Sequence, residues 1–214
     1  FKELGPPEDV EYIERERHAV AVHEACHAIA AHRVRRHMSI DLATIEKGSN
    51  YLGMVASIKP EDQFVNWKSE READIIVSLA SLAGERLFFD SDNSSGVSGD
   101  LESATFVAAL MEGIWGMGQT VTSHLGAVRL TDAFGQGHQI GLGVSKGPGS
   151  DAAKGGSVEI DPMGKRVEAN LVRLLDDVRQ LLVDNWFEVL SVAHALETHK
   201  TLAGEDVIAV IEGE

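Results

Sequence analysis

The sequence predicts a mainly α-helical domain with one small β-hairpin and a long C-terminal helix. Apolar residues recur at helical spacing over several long segments, and aromatics make up only 6% of the 214 residues, which favours an aliphatic core. Two short β-like runs flank the turn signal Gly48-Ser49-Asn50. A length of 214 residues with 43% hydrophobic content suits one domain with a sizeable core.

Residues 1–10, with Pro6-Pro7, read as a linker, and residues 11–214 as the domain. Glu11 to about His37 is the first helix, charged at its start and then rich in alanine. Leu42–Ile45 and Leu52–Ile58 are the two strands of the hairpin. Ser69–Phe89 is the second helix, with Ile75, Leu79 and Leu82 on its apolar face. Asp90–Gly99 is expected to be loop. Asp100–Trp115 is the third helix, ended by Trp115-Gly116-Met117-Gly118. Residues 134–157 carry eight glycines, and this density predicts a mobile loop because ordering glycine costs the most backbone entropy. From Asp161-Pro162 to about Thr198 one long helix is expected, with Pro162 suited to its first turn and Leu171, Leu174, Leu175, Val178, Leu181 and Leu182 along one side. Leu202–Ile211 closes the chain as a short helix.

The net charge of −15 repels phosphate backbones and argues against nucleic-acid binding. No apolar run is long enough to span a bilayer, and no signal peptide is visible. The single cysteine excludes an internal disulfide framework. A start at Phe1 leads to the expectation of a processed product or a piece of a longer chain.

The chemistry concentrates in His23-Glu24-Ala25-Cys26-His27. Two histidines four residues apart lie on one helical face, about one turn apart, where two imidazole nitrogens can grip one Zn²⁺. Glu24 lies about 60° round the helix from that pair. It is too offset to be a natural third ligand, yet near enough to act as general base on a water that zinc acidifies. Such a site hydrolyses peptide bonds.

A catalytic zinc needs a third protein ligand. Ala30 and Arg33 stand where a metzincin would have glycine and a third histidine, which excludes that class. Three acids remain. Glu70 opens an ExxxD string of the thermolysin-like kind, Glu85 lies in Leu82-Ala83-Gly84-Glu85-Arg86, and Asp100 follows Gly96-Val97-Ser98-Gly99. Asp100 leads, because a carboxylate in a first helical turn is kept ionised by the helix dipole. The other two stay open. A di-iron carboxylate bundle is disfavoured: Glu24-Ala25-Cys26-His27 is formally ExxH, but such a bundle needs a second copy on another helix.

The strings Val20-Ala21-Val22-His23-Glu24-Ala25-Cys26-His27-Ala28, Leu52-Gly53-Met54-Val55, Ser98-Gly99-Asp100-Leu101-Glu102-Ser103-Ala104-Thr105 and Trp115-Gly116-Met117-Gly118 resemble the protease domain of the FtsH (M41-type) family, the membrane-anchored, ATP-dependent zinc metalloproteases. Leu181-Leu182 and Thr201-Leu202-Ala203-Gly204-Glu205 resemble the family's end, so the likeness covers nearly the whole chain. It implies His23, His27 and Asp100 as zinc ligands and Glu24 as catalytic base. It implies Glu85 as a residue orienting a histidine, and a strand around Leu52, Gly53, Met54 and Val55 whose edge holds extended substrate. The substrates it implies are unfolded polypeptides, cut with loose, apolar-leaning preference.

The sequence holds no GxxxxGK[ST] phosphate loop. The resemblance therefore implies an AAA-type ATPase domain in the same chain or a partner, a homo-hexameric ring, and a place on the cytoplasmic side of a membrane or its organelle equivalent. Two departures stand out. Cys26 replaces the family's usual glycine, and the 134–157 loop is unusually rich in glycine. Helical geometry puts Cys26 on the flank shared with Ala19, Val22 and Ile29, as a small buried hydrophobe or else a redox-sensitive thiol. The alternative function is a catalytically silent scaffold or assembly domain that keeps the fold.

Overall fold

A computed structural model describes residues 13–48, 52–61, 64–121, 123 and 162–213. The linker 1–10, the glycine-rich loop 134–157 and most of the Gly48-Ser49-Asn50 turn lie outside these residues. The elements run α1 (Glu14–Val34), β1 (Ser39–Thr44), β2 (Met54–Ile58), α2 (Lys68–Phe88), a 3-10 turn (Ser95–Val97), α3 (Ser98–Gly113), α4 (Pro162–Asp184), α5 (Trp186–His199), β3 (Thr201–Ala203) and α6 (Gly204–Glu212). The fold is mainly α, as the sequence predicts. No helix among the described residues is long and apolar enough to cross a membrane.

The chain forms two compact units, one of residues 1–104 with 173–214 and one of residues 105–172. In the first, α1 is the central helix and packs on both α2 and α5. Ala21, Val22, Ala25, Cys26, Ala28, Ile29, Ala30 and Ala31 are all buried, so α1 is covered on most sides. Small side chains allow that close approach, and they leave α1 without the single apolar stripe of a surface helix. On α2 the expected stripe is buried, with Ile75, Leu79 and Leu82 in the core.

The hairpin of the sequence reading is part of a three-stranded antiparallel sheet in the order β2-β1-β3. The third strand is short and follows Lys200, whose φ of 64° reverses the chain after α5. Gly204 admits the sheet against α6, since a Cβ there would lie 2.0 Å from the Ile40 carbonyl oxygen. In this order, among the described residues, β2 is left as an edge.

The expectations for the helices are corrected in two places. The long C-terminal helix is not continuous but breaks at Asn185 into α4 and α5. The Asn185 amide donates to the Leu181 carbonyl at 2.8 Å, while its oxygen accepts from Arg33 Nε at 2.7 Å. Asparagine competes with the helical backbone in this way. The break lets Leu174, Val178 and Leu182 of α4 and Val189, Val192 and Leu196 of α5 all be buried. The third helix also starts earlier than expected, at Ser98.

In the second unit, α3 ends at Gly113 and the chain turns through Gly116 at φ 64°. The buried Glu112 accepts from the Gln119 backbone N–H at 3.1 Å and from Arg166 Nε at 3.3 Å.

Candidate active site

The site forms where α1 and α2 cross antiparallel. His27 on α1 faces Val77 on α2, and His23, one turn earlier, faces Glu85, two turns later. Val77, Ser81 and Glu85 are spaced by four, so they form one row along α2.

Both imidazoles are held by Nδ1. His27 Nδ1–H donates to the Val77 carbonyl at 2.7 Å, and His23 Nδ1–H to Glu85 Oε1 at 2.8 Å. A carbonyl and an ionised carboxylate can only accept, so each ring keeps its lone pair on Nε2 when neutral. Both Nε2 atoms then lie 3.3 Å from the same atom, Oδ2 of Asp100. In the neutral rings two lone pairs and a carboxylate oxygen converge on one point, an arrangement relieved either by protons on the imidazoles or by a cation between them. His23, His27 and Asp100 offer ligand atoms all within 4.8 Å of one another. Two imidazoles and a carboxylate make a donor set that fits zinc and leaves a coordination position open.

Asp100 lies in the first turn of α3 and also accepts from Ser81 Oγ at 2.7 Å. Burial works against its charge, but the hydrogen bonds from His23, His27 and Ser81 outweigh it and hold the carboxyl well below the usual range. Burial likewise pulls the His23 imidazole down. The facing Asp100 and Glu85, with Glu24 near, more than offset this and raise it from 6.5 to about 10 in the metal-free chain. Glu85 also receives the Ser94 backbone N–H, and Ser94 Oγ donates to it at 3.1 Å. One buried carboxylate thus ties His23 to the loop that leads into Asp100. Its own burial is outweighed by His23 and Ser94, which keep it ionised.

Glu24 is 4% exposed and lies against Gly53, where a Cβ would come within 2.6 Å of Glu24 Oε1. Burial lifts its carboxyl above the ordinary value, against the pull of His27 and His23. A carboxylate raised in this way is suited to taking up a proton and returning it.

A cavity of about 550 Å³ opens over these groups. His23, Glu24, His27 and Asp100 line it together with Leu52, Gly53, Met54 and Val55 along the β2 edge. The structure therefore gathers all the site residues expected from the sequence. It leaves Glu70 aside: that carboxylate accepts the Trp67 backbone N–H at 2.8 Å and caps the start of α2. Cys26 faces away from the cleft and is fully buried, and burial pushes its thiol well up, the opposite of an activated thiol. Val77, Ser81, Ser94 and Arg35 were not anticipated. Only the spacing of Ser81 and Glu85 by four marks a shared face in the sequence; a backbone carbonyl leaves no such mark.

The family model "Peptidase family M41" matches residues 11–210. The chain belongs to peptidase family M41. Among its M41 relatives, a protein named ATP-dependent zinc metalloprotease FtsH from Neorickettsia risticii is 26% identical over 203 residues, covering 94% of this chain and 29% of the relative. A protein of the same name from Veillonella parvula is 31% identical over 195 residues, covering 91% of this chain and 28% of the relative. ATP-dependent zinc metalloprotease FtsH 2 from Conexibacter woesei is 30% identical over 212 residues, covering 97% and 28%. The M41 chain thus spans less than a third of the length of these curated relatives.

Proposed function

We propose that this M41 chain is a zinc-dependent endopeptidase that cuts unfolded or extended polypeptides. The observation that carries the reading is the pair of Nδ1-anchored histidines whose Nε2 atoms converge on Asp100, with buried Glu24 beside them.

His23, His27 and Asp100 would hold the ion. When bound, zinc supplies Lewis acidity, acidifying water and polarising a carbonyl. Glu24 takes the proton from the attacking water and delivers it to the leaving amine. Glu85 and the Val77 carbonyl fix the tautomers of the two histidines, and Ser81 and the helix start keep Asp100 anionic. The β2 edge, which pairs only with β1 among the described residues, holds substrate by backbone pairing, which accepts many sequences.

The relatives are named ATP-dependent, and this chain carries no GxxxxGK[ST] loop. An AAA-type ATPase domain in the same chain or a partner, a six-membered ring, and a position on the cytoplasmic side of a membrane or its organelle equivalent complete the proposal.

The test is metal content and casein hydrolysis on the wild-type chain and on Glu24→Gln. One zinc per chain in both, with hydrolysis by the wild type alone, is expected. Zinc in both with hydrolysis in neither would point to a domain that needs its ATPase ring or to the silent scaffold, and absence of metal in both would sink the reading.

A further inference from the structure

One residue lining the cleft has no part in the centre just described. Arg35 closes α1 two turns past His27, and among the described residues that line the cleft it is the only lysine or arginine. Eight helical residues advance about 12 Å, roughly the span of three or four residues of extended peptide. The edge strand points the same way. β2 begins just after Gly53, beside Glu24, and ends at Ile58, which pairs with Ser39, four residues past Arg35. A peptide laid along β2 therefore runs from Glu24 toward Arg35.

The Arg35 guanidinium has donors to spare. Among the described residues its one ion-pair partner is Asp74, at 3.1 Å from Nε, and the contact lies off the line of an aligned hydrogen bond. Asp74 is meanwhile engaged elsewhere. It accepts from Arg71 Nη1 at 3.0 Å and lies 3.5 Å from His37 Nε2. Two arginines and a histidine thus converge on one carboxylate, in a chain whose net charge is −15. The Arg35 side chain is 15% exposed, so its remaining N–H groups are poorly supplied with water. A planar guanidinium in that condition matches the two oxygens of a carboxylate.

We propose that Arg35 binds a carboxylate of the bound polypeptide, a few residues from the cut bond, and so gives the cleft an acidic preference at that position. This rests on the reading of the cleft as a peptidase site. The carboxylate has two possible sources. A strand antiparallel to β2 brings an upstream acidic side chain to Arg35, whereas a parallel strand can bring the C-terminus.

The test is binding, measured by fluorescence polarisation on the zinc-loaded Glu24→Gln chain with and without Arg35→Gln. The reference is a labelled apolar decapeptide with both ends blocked. One series moves a single Asp along it, and another frees its C-terminal carboxylate. One Asp position, or the free C-terminus, is expected to tighten Kd about tenfold, the scale of one charge-assisted hydrogen bond. Arg35→Gln should abolish that gain and leave the blocked decapeptide unchanged, and whichever series responds names the source. Asp74 keeps Arg71 and His37 in this variant, so no buried acid is stranded. Arg35→Lys, which keeps the charge but loses the fork, should retain part of the gain. Absence of any carboxylate preference, a preference that survives Arg35→Gln, or equal weakening of every peptide would overturn the proposal. Because a non-cleaving chain is used, a failure of wild-type hydrolysis would count against the peptidase reading and leave this test standing.

Discussion

Cys26 fills the space that a side chain on Gly84 would need: a Cβ at Gly84 would lie 2.2 Å from Cys26 Sγ and 3.0 Å from its Cβ. The two residues sit in the contact between α1 and α2, next to His27 on one helix and Glu85 on the other. Neither can enlarge while the other stays. Gly84→Ala should cost about 1–3 kcal/mol through overpacking, and adding Cys26→Gly should recover most of that cost. A double-mutant cycle by urea unfolding would read the coupling, and additive effects would contradict the close packing.

Asp100 and Glu70 should separate cleanly on zinc content. Asp100→Ala removes the oxygen on which both Nε2 atoms converge, and the dialysed chain is expected to lose its metal. Glu70→Ala should retain zinc and lose about 1 kcal/mol of stability with its cap. Atomic absorption and thermal melting on the two variants check both halves. Zinc loss from Glu70→Ala alone would return the third ligand to the thermolysin-like pattern.

Glu85→Gln keeps an acceptor for His23 but removes the charge that strengthens the ring as a ligand. Zinc affinity is expected to fall about 10- to 100-fold with little change in fold. Competition against a chromogenic chelator measures it. An unchanged affinity would reduce Glu85 to a strut for the Ser94 loop.

Gly53→Ala should act on Glu24 rather than on the metal. The new methyl would press on Oε1 and Cγ, at 2.6 and 2.7 Å, and displace the carboxylate. A misplacement on that scale costs about 100-fold in rate, so kcat on a fluorogenic peptide should drop steeply while zinc stays at one per chain. Full activity in this variant would show that Glu24 need not sit where it does.

The legible part of the site was the part written on one helix. His23, Glu24 and His27 have fixed angular relations once α1 is helical, because 3.6 residues per turn is a local property. The apolar stripes of α2 and α4 were legible for the same reason. The short strand β3 was not, since Thr201–Ala203 is extended chiefly because it pairs with β1. The break at Asn185 was hidden as well. It involves Arg33, 152 residues away in sequence, and no proline or glycine marks it.

By itself, then, the sequence determined the placing of His23, Glu24 and His27 on one helix, the helical class and, through its motifs, the family resemblance. Only the tertiary structure separated the places of Glu70, Glu85 and Asp100, all of them acids at or near helix starts or faces. Antiparallel packing of α2 on α1 carries Glu85 to the outer nitrogen of His23 and leaves Glu70 at a helix cap. Ser81 and the Ser94 loop then hold Asp100 opposite both inner nitrogens. Those choices depend on distances between segments far apart in the chain, and no local spacing encodes them.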